Sequence, residues 1–274
     1  MSVADQQKQI DTARTILHDA ASVVILAGAG MGIDSGLPDF RGPEGFWRAY
    51  PGAKRMELNF IDLANPAAFQ QFPRLAWGFY GHRLQLYRNT TPHAGFRHLL
   101  RLAETTPTFV VTTNVDGQFQ KAGWPEVAIT EWHGSIHWWQ CCTPCCDDIW
   151  PAEGNIENIN TETLIWHSDL PRCPHCQALA RPNILMFDDA HWLAQRTEAQ
   201  KNRWQAWLAK FSTGRRVVLE IGAGTAIPTL RWLSRSLVDT GALLIRINPA
   251  DYAAPNGHIG LPMRAARALS QLLP

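Results

Sequence analysis

The sequence predicts an α/β fold, a Rossmann-like doubly wound parallel sheet with a small inserted module. Three observations predict it. Short, continuous apolar runs recur along the chain and alternate with stretches of helical spacing, as buried parallel strands joined by crossover helices do. The first run ends in a glycine-rich turn. All six cysteines fall between positions 141 and 176, where the alternation breaks down.

Each element carries its own signature. Ile10, Ala13, Ile16 and Leu17 share one face of an N-terminal helix. Val23 to Ala27 is the first strand, too uniformly apolar to keep a solvent face. The pattern returns at 108–113 (TFVVTT), 127–131, 216–221 (RVVLEI) and 243–247 (LLIRI). Between these runs Phe96, Leu99, Leu100 and Ala103 line one helical face, and Trp204, Trp207, Leu208 and Phe211 another. Residues 39–89 are rich in proline, aromatic and arginine residues at mostly helical spacing, and residues 139–178 hold every cysteine. These two stretches are expected to pack together as the small module. Residues 1–38, 90–138 and 179–274 then make up the Rossmann-like domain.

Composition excludes several classes. The formal net charge of +1 over 274 residues sets up no global field for nucleic acid or an anionic membrane. No apolar run approaches the roughly 18 residues of a membrane span. The N-terminal segment is polar and helical, so a cytoplasmic protein is expected.

The glycine-rich turn runs Gly28-Ala29-Gly30-Met31-Gly32-Ile33-Asp34-Ser35-Gly36-Leu37-Pro38-Asp39-Phe40-Arg41. Glycines directly after a buried strand let backbone N–H groups approach a pyrophosphate. The dehydrogenase fingerprint wants a further glycine where Ile33 stands, so an ordinary oxidoreductase is disfavoured. The ring of Phe40 and the guanidinium of Arg41 suit a loop that covers a nicotinamide and pairs a phosphate. Thr112-Thr113-Asn114-Val115-Asp116 lies at the carboxyl end of the TFVVTT strand, where open α/β sheets bind ligands. Asn114 and Asp116 there can hydrogen-bond a carboxamide and a ribose, or simply cap the helix expected at 117–123. Glu131-Trp132-His133-Gly134 ends another strand and offers a histidine for general-base work. His93, His98 and His137 have no such context and read as packing or surface residues.

The cysteines form two groups, Cys141-Cys142-Thr143-Pro144-Cys145-Cys146 and Cys173-Pro174-His175-Cys176. Two close pairs separated by a longer loop match a tetrahedral structural Zn²⁺ site. The second pair is a clean C-x2-C. In the first group the spacing leaves Cys141 with Cys145, Cys142 with Cys145, or Cys142 with Cys146. Four thiolates close the coordination sphere, so this zinc is structural rather than catalytic. The inserted module is therefore expected to be part zinc-binding and part helical.

In this order the motifs resemble the sirtuin family of NAD-dependent protein deacylases, in a divergent, bacterial-type form. The resemblance covers nearly the whole chain, from Gly28-Ala29-Gly30 and 35–41 through 112–116, His133-Gly134 and the cysteines to 181–187 and Ile247-Asn248. It implies a chain that consumes NAD as co-substrate, holds a structural zinc and acts on acylated lysine in a protein or peptide, forming nicotinamide and O-acyl-ADP-ribose. It implies His133 as general base and Asn114 and Asp116 as nicotinamide-pocket and ribose residues. The dinucleotide would meet Gly28, Ala29, Gly30, Phe40, Arg41, Thr113, Gly222, Gly224 and Asn248. By the same match the zinc ligands are Cys141, Cys145, Cys173 and Cys176. Tyr80 and Arg83 show the Tyr-x-x-Arg spacing of sirtuins that remove succinyl or malonyl groups, and i, i+3 spacing points both side chains one way.

The chain also departs from that pattern. Thr113 stands for the usual glutamine, Gly32 for a serine, and Gly222-Ala223-Gly224 for Gly-Thr-Ser. Asp188-Asp189 replaces Gly-Glu, setting bulk and charge where an extended peptide should pair. ADP-ribosyl transfer or NAD hydrolysis would keep the cofactor pocket and His133 without a peptide groove. A non-catalytic NAD or ADP-ribose sensor would keep only the binding.

Overall fold

A computed structural model describes residues 3–38, 43–156 and 159–273. Six parallel strands form the main sheet: β1 (Ser22–Ala27), β2 (Thr108–Thr112), β3 (Ile129–Glu131), β7 (Arg216–Ile221), β8 (Leu243–Ile247) and β9 (Ile259–Leu261). Their spatial order is β3-β2-β1-β7-β8-β9, the doubly wound order that reverses direction between β1 and β7. Three antiparallel strands make a second sheet in the order β5-β4-β6, with β4 Gly134–Cys141, β5 Ile149–Pro151 and β6 Ala180–Ile184.

Alternation along β1 explains why the sheet needs helices on both faces. Val23, Ile25 and Ala27 point into one core with the helices Val3–His18, Ala94–Thr105 and Ala265–Leu272. Val24 and Leu26 point into the other, with Trp204, Leu230 and Leu237 from the helices Gln195–Lys210 and Thr229–Asp239. A strand buried on both faces must read as a continuous apolar run, and β1 does. The expected strand at 127–131 is shorter at its start, because Glu126–Ala128 form a turn of 3₁₀ helix before β3.

A third core lies between the helices of 43–89 and the second sheet. Phe46, Tyr50, Phe69, Trp77, Phe79 and Tyr80 meet Ile136, Trp139, Leu164 and Trp166 there. The helix Pro73–Asn89 crosses this core, and it is buried along so much of its circumference that it shows little amphipathic pattern. Strands β4 and β6 start inside segments 90–138 and 179–274, yet they pair with each other and with β5 in the second sheet. Among the described residues no helix is long and apolar enough to cross a membrane.

Candidate functional site

Two turns meet at the reversal point of the main sheet. Gly28 and Gly30 follow β1, and Gly222 follows β7. Gly30 N–H donates to the Gly222 carbonyl at 3.1 Å, and Gly28 N–H to that of Ile221 at 2.9 Å. A Cβ on Gly30 would sit 2.6 Å from the Gly222 Cα, and one on Gly222 would sit 2.4 Å from the Gly30 Cα. These glycines are therefore required by backbone packed on backbone, and Gly222 also has a φ of +60°. Gly224 differs, since a Cβ there meets nothing within 4 Å. Asn248, at the end of β8, donates to the Ala223 carbonyl at 3.0 Å and accepts from the N–H groups of Ala250 and Asp251.

Beside this ridge opens a cavity of about 240 Å³ lined by Ala29, Thr113, Asn114, Asp116, His133, Tyr80 and Arg83, with Leu37, Phe60, Tyr87, Met186 and Phe187 among its apolar walls. The structure thus brings the expected catalytic trio, the expected acyl residues and part of the expected cofactor set to one space. Gly28, Gly30, Gly222, Gly224 and Asn248 stand outside its lining. Phe40 and Arg41 lie outside the described residues.

Each polar residue in the cavity is set by its own backbone. Asn114 N–H donates to Thr112 Oγ1, and its Nδ2 donates to the Gly28 carbonyl at 2.9 Å, linking the end of β2 to the glycine turn. Asp116 Oδ1 accepts from Gln118 N–H at 3.0 Å in a turn just before the helix Gln118–Lys121, whose N-cap is Gly117 with no side-chain cap bond. Burial pushes the Asp116 carboxyl up to about 6. His133 follows β3, where Trp132 N–H donates to the Thr112 carbonyl, and its own carbonyl accepts from Leu185 N–H at 2.9 Å. Gly134 must be glycine, because its φ is +77° and a Cβ would lie 2.2 Å from the Asn183 carbonyl oxygen. His137 is a packing residue whose Nε2 meets the Asp116 carbonyl at 3.0 Å.

The helix Pro73–Asn89 supplies the other side. Arg83 is only 6% exposed, with its guanidinium 5.1–5.7 Å from the ring centroids of Phe60, Phe79, Tyr80 and Tyr87. Its Nε and Nη2 donate to the Tyr87 hydroxyl at 3.1 and 2.9 Å. Tyr80 is buried against Phe69, and that burial raises its phenol to about 12, so it stays a neutral donor. Sequence reasoning passed over Tyr87 and Phe60. Tyr87 was legible, one helical step of i+4 beyond Arg83. Phe60 comes from a different helix, Phe60–Leu63, and only tertiary packing delivers it.

Asp189 forms a buried two-point ion pair with Arg181 at 2.7 and 2.8 Å and accepts from the N–H groups of Met186 and His191. Asp188 is exposed and adopts a φ of +53°, the left-handed region where glycine is at ease and aspartate is tolerated. The change from Gly-Glu therefore adds its charge on the solvent side of the turn.

Of the open cysteine pairings, geometry selects one. The sulfurs of Cys141, Cys145, Cys173 and Cys176 all lie within 4.8 Å of one another, with 3.7 Å between Cys141 and Cys176 and between Cys145 and Cys173. Four thiolates about 2.3 Å from one Zn²⁺ stand about 3.8 Å apart along each tetrahedral edge, so the set fits zinc.

A model of the Sir2 family matches residues 28–206. An NAD-dependent protein deacylase of Daphnia pulex is 34% identical over 198 residues, covering 66% of this chain and 68% of that one. NAD-dependent protein deacylase 1 of Caldanaerobacter subterraneus subsp. tengcongensis is 30% identical over 232 residues, covering 83% and 82%. Among solved structures, a Sir2 homologue–NAD complex superposes with a TM-score of 0.74 at 22% identity, covering 96% of this chain and 91% of that one. The likeness at that identity is one of fold.

Proposed function

Because the chain belongs to the Sir2 family, we propose that it removes acyl groups from protein lysines at the expense of NAD, and acidic acyl groups in particular. The observation that carries this reading is the shared cavity, in which His133, Asn114 and Asp116 face the same space as Tyr80 and Arg83. Bound NAD supplies an electrophilic ribose carbon with nicotinamide as leaving group. The two glycine turns, Ala29, Thr113, Gly224 and Asn248 are the residues that would hold it, joined by Phe40 and Arg41. Asn114 and Asp116 orient the nicotinamide and ribose end. His133 takes the proton from a ribose hydroxyl as general base.

Arg83 supports the acidic preference. A fixed cation in a cavity with apolar and aromatic walls favours a carboxylate over a methyl group, because such walls screen the pair poorly. The substrate is an acylated lysine in an extended protein segment, set beside 185–187. The four cysteines hold zinc as a structural ion. Cysteines held as zinc thiolates fit a reducing, cytoplasmic setting.

The test is incubation with NAD and either acetyl- or succinyl-lysine peptide, following nicotinamide and O-acyl-ADP-ribose by mass spectrometry. Both products should appear together, with higher kcat/KM for the succinyl peptide. Nicotinamide released without peptide would indicate hydrolysis, and no release with either peptide would leave a sensor. Arg83→Met should erase the succinyl preference while sparing acetyl turnover.

A further inference from the structure

Resting on the acidic-acyl reading of that cavity, we infer that Tyr87 is a positioning residue that sets the orientation of Arg83 and so determines the preference for acidic acyl groups. A guanidinium surrounded by aromatic rings is attracted to all of them. Such attraction changes little as the planar group rotates. Hydrogen bonds are different, because they weaken steeply off axis. The Tyr87 hydroxyl accepts from both Nε and Nη2 of Arg83, at 3.1 and 2.9 Å, which fixes one edge of the guanidinium plane. A carboxylate bound in two-point fashion needs that plane held, since both of its oxygens must meet parallel N–H donors.

Tyr87 is itself well held. It is 5% exposed, lies on the same helix as Arg83 at i+4, and its backbone carbonyl accepts from Gln118 Nε2 at 3.2 Å. Gln118 is in turn the residue whose N–H donates to Asp116 Oδ1. The segment 116–118 thus anchors both the expected ribose carboxylate and the residue that aims the acyl cation. Tyr80 lies on the other side of Arg83, so 80, 83 and 87 form one stripe of the helix facing the cavity.

Tyr87→Phe removes one oxygen and keeps the ring. The variant should lose about tenfold in kcat/KM for the succinyl peptide, mainly through KM, as expected for losing hydrogen bonds to a charged group. Acetyl-peptide turnover should change less than about twofold, because an acetyl group makes no use of the guanidinium. In Arg83→Met the further change Tyr87→Phe should have no additional effect on succinyl turnover, since Tyr87 acts through Arg83. An unchanged succinyl-to-acetyl ratio in Tyr87→Phe, with that ratio collapsed in Arg83→Met, would overturn the positioning role and leave the acidic-acyl reading standing. An equal loss on both peptides would overturn it as well, by showing only a structural role. A ratio untouched by Arg83→Met would remove the reading itself and this inference with it.

Discussion

Asp116 is the residue where stability and function pull apart. Its carboxyl is buried and raised from 3.8 to about 6, with desolvation as the main cause. Between those values the folded chain keeps a proton that the unfolded chain has released, so stability falls as pH rises through that window. The full cost, about 3 kcal/mol, then stands at neutral pH and is absent below the unfolded value. Asp116→Asn should therefore be more stable than the wild type by about 2–3 kcal/mol near neutral pH, because an amide oxygen can still accept from Gln118 N–H. The difference should vanish by about pH 4, which urea denaturation at the two pH values measures. Turnover should drop in the same variant. An Asp116→Asn protein no more stable than wild type at neutral pH would show that the carboxylate is accommodated without cost. His133→Ala gives the complementary outcome: turnover lost, ADP-ribose binding kept within about threefold by calorimetry, and little change in stability for a half-buried side chain.

At the level of elements, the glycine turns separate packing from ligand contact. Gly30→Ala should cost about 3 kcal/mol or more, because the new methyl meets backbone that cannot move without prying β1 from β7. Gly224→Ala should leave stability unchanged, its Cβ falling in open space, yet weaken NAD binding if the dinucleotide runs over that turn. Denaturation midpoints and NAD affinity for the pair distinguish the two roles, and a stable Gly30→Ala would contradict the packing account. This contrast marks a limit of sequence reading. That a buried strand ends in glycines is written locally, as is the His133-Gly134 step at the end of β3. That Gly30 presses on Gly222 depends on two loops far apart in the chain, and no local pattern records it. Five of the six parallel strands were legible as short, mostly apolar runs, whereas β9, three residues long with Gly260 at its centre, carries too short a run to be read. The second sheet was not legible, because β4 and β6 take their partners from each other across the intervening cysteine loops. Spacing left three cysteine pairings open, and only the fold of those loops brings four sulfurs together.

For the whole molecule, the zinc cluster and His133, the proposed general base, stand at opposite ends of one strand. Cys141 ends β4 and pairs with Ala180, while Gly134 starts it and pairs with Ile184, next to His133 and just before the cavity-lining residues 185–187. Cys142 N–H donates to the Leu179 carbonyl and Cys173 N–H to the Ala178 carbonyl, so the sulfur cluster clamps the far end of the β4–β6 pair. Ile136 and Trp139 on β4 also face the core that holds Tyr80 and Tyr87. The glycine turns, by contrast, belong to the six-stranded sheet, which has its own two apolar layers. Zinc removal should therefore affect the two halves of the site unequally. Stripping the metal with a chelator, or Cys176→Ser, should loosen the second sheet at a cost of several kcal/mol, on the order of what a closed thiolate site contributes. Deacylation of peptide should be lost, because residues 185–187 follow β6 and the helix that carries Tyr80 and Arg83 packs against β4. ADP-ribose should still bind within about threefold of its original affinity, because the turns proposed to hold it follow β1, β7 and β8. Metal content, peptide turnover and ADP-ribose calorimetry on one preparation decide the matter. A parallel loss of ADP-ribose affinity would mean that the six-stranded sheet leans on the zinc module for its own order, and that the site cannot be divided along this line.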